Sequence, residues 1–160
     1  MTLTVFSDEY FMKEALKEAQ KAFDADEVPV GAIIVCGDKI IARAHNLTQR
    51  LKDVTAHAEM QAFTSAAEFL GGKYLKNCVL YVTIEPCVMC AGASMWTQID
   101  RIVYGARDDK KGFSLLRDNV LHSKTLLSGG VFCESSVVKT ELPFSATICA
   151  ASSTVILFPL

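Results

Sequence analysis

The sequence predicts an α/β protein with helices on both faces of a mixed sheet. Three observations carry that prediction. Segments of helical periodicity alternate with short β-rich runs, and capping and turn residues fall between them. The chain has 160 residues, 51% hydrophobic and 21% charged, enough for one well-buried core and too few for two ordinary domains.

The first segment, SDEYFMKEALKEAQKAF, has a capping Ser7, acids in its first turn, and Met12, Leu16, Ala19 and Phe23 at helical spacing. It predicts a helix packed on one side. VGAIIVC and KIIARAH follow as β-rich runs joined by Gly37-Asp38, a hairpin turn signal. AHAEMQAFTSAAEFL, residues 56–70, reads as a helix stopped by Gly71-Gly72. CVLYVTI, rich in β-branched and aromatic residues, reads as a central strand. Pro86 sits where a following helix begins, which makes CVMCAGASMW that helix. RIVYGA is the next strand. DDKKGFSLLRDNVLHSKTLL is polar and partly helical, and VFC beyond Gly129-Gly130 is expected to be a last short strand.

The formal net charge of −2 gives no general attraction to phosphate backbones, so contact with RNA needs a local patch. Arg101, Arg107, Lys110, Lys111, Arg117 and Lys124, concentrated in one stretch, are the candidate patch, with a merely solvated face as the alternative. The N-terminus has no basic region followed by an apolar one, and no run is long and charge-free enough to span a bilayer, so a cytoplasmic location is expected. Six cysteines, at 36, 78, 87, 90, 133 and 149, lack the density of a disulfide framework.

Cys87 and Cys90 differ from the rest. In TIEPCVMCAG they stand three apart on a predicted first helical turn, where unpaired N–H groups and the helix dipole favour thiolate. Such a pair can be half of a structural zinc site, a redox couple, or two ligands of a catalytic metal. A structural site wants a second Cys pair or two close histidines, and the other cysteines are scattered singly. Of three histidines, at 45, 57 and 122, His57 lies in TAHAEM at the start of another predicted helix, with Glu59 two residues on. Three ligands leave one tetrahedral position for water, and a nearby carboxylate can move the water's proton to a substrate nitrogen. These are the requirements of hydrolytic deamination.

In EVPVGAIIV, TAHAEM, LYVTIEPCVMCAGA and RIVYGARDDKKG, in register from about residue 8 to about 132, the chain resembles the bacterial tRNA-specific adenosine deaminases of the cytidine-deaminase superfamily. The resemblance implies a three-layer α/β/α fold with a five-stranded mixed sheet, and a homodimer with active sites near the subunit interface. It implies one zinc per subunit on His57, Cys87 and Cys90, with Glu59 as general acid/base for attack at C6 of an adenine. It further implies that Asn46 reads the flipped base, that Val28, Pro29, Val30 and Ile84 shape an apolar pocket, and that Asp108 contacts the nucleotide backbone. The implied partner is a tRNA anticodon stem-loop, converted from adenosine to inosine at the wobble position.

Two departures stand out. The family's Asp-Pro-Thr-Ala-His is Asp53-Val54-Thr55-Ala56-His57, and the basic terminal helix of family members is replaced by a segment whose sole basic residue after Cys133 is Lys139. Residues 1–133 are therefore expected to form the deaminase body of a single domain, and 134–160 an atypical tail. That tail is either the product of a frameshift after Gly130 or a cover for a dimer or partner surface. The competing functions are a free nucleobase or nucleoside deaminase of guanine or cytosine type, and a noncatalytic zinc-stabilised binding module.

Overall fold

The computed structural model describes residues 6–116 and 120–131. The expected strand at VFC lies outside them beyond Val131, as do Arg117, Cys133, Cys149 and the whole tail. In chain order the elements are α1 (Asp8–Asp24), β1 (Gly31–Cys36), β2 (Lys39–His45), α2 (Thr48–Leu51), α3 (Ala58–Leu70), β3 (Cys78–Ile84), α4 (Val88–Thr97), β4 (Arg101–Ala106), a 3-10 turn (Phe113–Leu115) and β5 (Leu126–Ser128). The sheet order is β2-β1-β3-β4-β5. β1 pairs antiparallel with β2 and β3, and β4 pairs parallel with β3 and β5, giving the expected mixed sheet of five strands.

Alternation along the strands sorts the core into two layers. Ile33, Val35, Tyr81 and Val103 face α1 and meet Phe11, Met12 and Ala15. Ala32, Ile34, Leu80, Val82 and Ile102 face the other way, against Ala58, Ala62, Phe63 and Ala66 of α3 and Ala91 of α4. The arrangement is therefore α/β/α.

Ser7 caps α1 by accepting from the Tyr10 N–H at 3.3 Å. The buried stripe of α1 is Phe11, Met12, Ala15, Ala19 and Ala22, while Phe23 is half exposed, a correction to the expected face. The backbone of α1 comes so close to Gly31 of β1, at Ala15 and Ala19, that no side chain fits at that crossing point. Gly37, at φ +61°, makes the two-residue hairpin turn, and the pairing slips at Ile34/Val35, leaving Ile41 of β2 as a bulge. The fifth strand lies just before Gly129-Gly130, at a position not expected from the sequence. Leu126 to Ser128 pair with Arg101 to Val103, so the polar stretch expected to be partly helical supplies a strand as well.

Asp8 ties the layers together at one end. It accepts a bidentate pair from Arg101, at 3.0 and 2.6 Å, and the Tyr81 hydroxyl at 2.8 Å, while Arg101 also donates to Ser128 Oγ at 3.0 Å. Burial, then Asp8, holds the Tyr81 hydroxyl well above its ordinary pKa. Arg101 is thereby committed within the fold, which removes it from the candidate RNA patch. No helix among the described residues is long and apolar enough to cross a membrane.

A Cβ on Gly31 would lie 2.2 Å from the Ala15 carbonyl oxygen and 2.3 Å from the Ala19 nitrogen. Backbone cannot yield as a side chain does, so Gly31→Ala should lower unfolding stability in urea by about 2 kcal/mol or more. Gly72→Ala, with open space around its Cβ, should stay within about 0.5 kcal/mol of wild type.

Candidate metal centre

One end of the sheet collects the chemistry. β1 begins there at Gly31 opposite His45, the last residue of β2, and β3 and β4 end there at Ile84 and Ala106. Val30, Asn46, the turn Glu85 to Cys87 and the loop from Arg107 therefore leave the sheet on the same side. α3 and α4 start at that end, packed on one face. His57 and Cys87 are the N-cap residues of these helices, with extended backbone, and Cys90 lies in the first turn of α4. The sequence places His57 and Cys87 inside first turns; the structure moves both one step out to the caps.

Capping brings the three donors together. His57 Nδ1 is 3.7 Å from Cys87 Sγ and 3.5 Å from Cys90 Sγ, and all three donor atoms lie within 4.8 Å of one another. A tetrahedral zinc with Zn–N near 2.0–2.1 Å and Zn–S near 2.3 Å needs N···S separations of about 3.6 Å. The observed spacing and the soft donor set fit that ion. Among the described residues there is no other group of three such ligands and no fourth protein donor to this one. A site with three protein ligands is of the open, catalytic type.

The pKa of Cys87 is lowered to about 4, chiefly by the hydrogen bond from Cys90 and also by His57, while that of Cys90 is raised by that same bond and by burial. His57 is held above its ordinary value, first by its hydrogen bond to Cys87. Glu59, 3% exposed, is raised by burial and contacts the Cys90 thiol. A buried carboxyl at the edge of the cluster is placed to hold a proton.

The other expected site residues gather at the same end with different exposures. Asn46 is 4% exposed, and its N–H donates to the Val30 carbonyl at 3.0 Å. Val28 is 52% exposed, so it is not a core residue; Pro29, Val30 and Ile84 are half-buried. Asp108 is half-buried, and its Oδ1 accepts from the Lys110 and Lys111 N–H groups at 2.9 Å each, which gives it a turn-forming task.

Sequence reading missed two buried acids. Glu85, 1% exposed, accepts from Asp108 N at 3.1 Å and Ser114 N at 3.0 Å. It thus fastens the 107–114 loop beside Cys87, whose backbone bridges to Gly112. A Cβ on Gly112 would meet the Glu85 carboxyl carbon at 2.5 Å. Glu27 does the same for residues 46–50. For Glu85 the signal was an acid between Ile84 and Pro86 at the end of an apolar strand; Glu27, which follows Asp24 and Asp26, had no such signal.

One zinc per folded chain is the expected elemental content. Cys87→Ala, Cys90→Ala and His57→Ala should each lose most of it. Binding requires deprotonated ligands, so occupancy should fall as pH drops from neutral and return on neutralisation, as followed by a chromogenic chelator. Retention of a full equivalent in Cys90→Ala would rule out this ligand set.

Residues 6–106 match the family model for the cytidine and deoxycytidylate deaminase zinc-binding region. The tRNA-specific adenosine deaminase of Aquifex aeolicus is 50% identical over 118 residues, 74% of this chain and 78% of that protein. That of Bacillus subtilis is 47% identical over 117 residues, 73% of each chain. Among solved structures, one from work on A-to-I editing by tRNA:A34 deaminases at the wobble position of transfer RNA superposes with a TM-score of 0.69 at 43% identity, covering 76% of this chain and 92% of the other. The Bacillus subtilis guanine deaminase superposes at 0.62 with 38% identity, covering 64% and 66%. With the donor triad, the buried glutamate and the sheet that carries them, these matches place the chain in the tRNA-specific adenosine deaminase family of the zinc-dependent cytidine and deoxycytidylate deaminases.

Proposed function

We propose that this protein deaminates adenosine to inosine at the wobble position of a tRNA. The carrying observation is the three-donor cluster with a buried glutamate beside it, in a chain about half identical to tRNA-specific adenosine deaminases. His57, Cys87 and Cys90 would hold a zinc ion, which would supply Lewis acidity that lowers the pKa of water towards neutral. The chain does the rest. Glu59 takes the water's proton on its carboxylate and delivers protons to ring N1 and to the departing amine. Its burial supports this role, since a raised pKa lets a carboxyl both accept and give. Asn46 orients the base, Val28, Pro29, Val30 and Ile84 border the ring, and Asp108 lies against the nucleotide backbone.

The RNA-facing charge is local. Lys110 and Lys111 are exposed, and Lys111 is near enough to influence His57. Arg107 is exposed and pairs with Asp109 at 3.2 Å. Lys124 is also exposed, at the opposite end of the sheet beside Asp100 and His122. We further propose a cytoplasmic homodimer. Support for association is the apolar exposure of α4, where Val88 and Trp96 are 53% and 77% exposed. The similarity to a guanine deaminase keeps a free-base substrate as the second reading. The lack of a fourth protein donor among the described residues speaks against a purely structural zinc module.

Incubation with an anticodon stem-loop, and separately with free guanine, cytosine and adenosine, should give inosine in the stem-loop alone, read by mass spectrometry of the nucleosides. Xanthine from guanine in its place would establish the second reading. Glu59→Ala should cut turnover by at least about a hundredfold and leave the zinc content near wild type. Lys111→Ala should weaken stem-loop binding across sequences and reduce the slope of log affinity against log salt by about 1.

A further inference from the structure

Asn46 is braced by a buried acid. Glu27, 4% exposed, receives four hydrogen bonds: on Oε2 from Asn46 Nδ2 at 3.1 Å, Thr48 Oγ1 at 3.4 Å and Gln49 N at 3.0 Å, and on Oε1 from Arg50 N at 2.7 Å. Every partner is a donor. Asn46 Nδ2 also reaches Thr48 Oγ1 at 2.9 Å, so the amide nitrogen is held on the protein side by two groups that touch each other. α2 itself has no cap of its own: Leu47 occupies the N-cap position without a side-chain bond, and Glu27, from more than one strand away, takes up the free N–H groups of Gln49 and Arg50.

We propose that Glu27 is a positioning residue for the substrate-reading amide: its carboxylate sets the rotation of the Asn46 side chain and anchors the 46–50 turn that carries it. The inference rests on the reading that Asn46 meets the base. A carboxylate is required for a definite reason. Its two oxygens only accept, whereas a glutamine of the same shape presents an NH2 to neighbours that all donate. The pair is thus a rigid fixture beneath the ligand, and misplacing a contacting group by about 1 Å can cost on the order of a hundredfold in rate.

Glu27→Gln should lower kcat/KM for the anticodon stem-loop by about tenfold to a hundredfold, with one zinc per chain retained. It should also shift the Asn46 side-chain amide resonances in 1H–15N spectra. In an Asn46→Ala background the same change should cost less than about threefold, because the two residues act as a unit. Activity within about twofold of wild type in Glu27→Gln, beside an impaired Asn46→Ala, overturns the role of Glu27 alone. So does a double mutant whose losses multiply. Full activity in Asn46→Ala overturns the base-reading role and this proposal with it. Should Glu27→Gln not fold, the wild-type spectrum decides: protected, shifted Asn46 amide protons support the brace, and values of a freely exchanging amide overturn it.

Discussion

Everything at the metal centre depends on bringing an imidazole nitrogen and two sulfurs, from residues thirty positions apart, to within bonding range of one ion. Side chains alone cannot secure this. The helix starts of α3 and α4 must be fixed against the same sheet face, and that is the work of the apolar layer from Ala58 to Ala66 on Ile34, Leu80, Val82 and Ile102. The alanines on this face let α3 settle close to β1 and β2. Because His57 and Cys87 are caps, their backbones are already turned out of helical geometry, so the donors point towards one another without a bent helix.

The same economy appears in the loops. A buried carboxylate costs several kcal/mol unless its oxygens are fully satisfied, and Glu27 and Glu85 are satisfied mainly by N–H groups of the segments they hold. No buried side-chain nitrogen or oxygen among the described residues lacks a partner. Each acid fastens a connecting stretch with little more than one helical turn of its own: residues 46–50 after β2, and 107–114 after β4. Their energetic contribution is hard to separate from their geometric one, since removing either acid strands several donors at once.

Much of this was legible in the residues. The strands 78–84 and 101–106, the Gly37-Asp38 hairpin, the Gly71 helix stop and the His57, Cys87, Cys90 set follow from local patterns and meet in the fold as expected. What escaped has a common cause. The short helix α2 is capped by Glu27 across the chain, and β5 exists because Arg101 to Val103 offer it an edge, so neither has a local signature. The committed state of Arg101 is equally invisible in sequence, where a basic residue looks the same whether it meets RNA or Asp8. Phe23 failed as a core residue because spacing permits several faces, and the approach of α1 to Gly31 selects the one lined with alanine.

The bulge at Ile41 has a bearing on how the protein behaves in company. β2 is an outer strand of the sheet, and an outer strand offers unpaired backbone groups on which another chain can polymerise. An extra residue in β2 coils the strand locally and spoils its regular repeat, while Lys39 adds positive charge at its start. A second molecule arriving edge-on would find neither a straight template nor a neutral one. The irregularity therefore favours solubility at high concentration, a protection supplied by a single supernumerary residue far from the catalytic end.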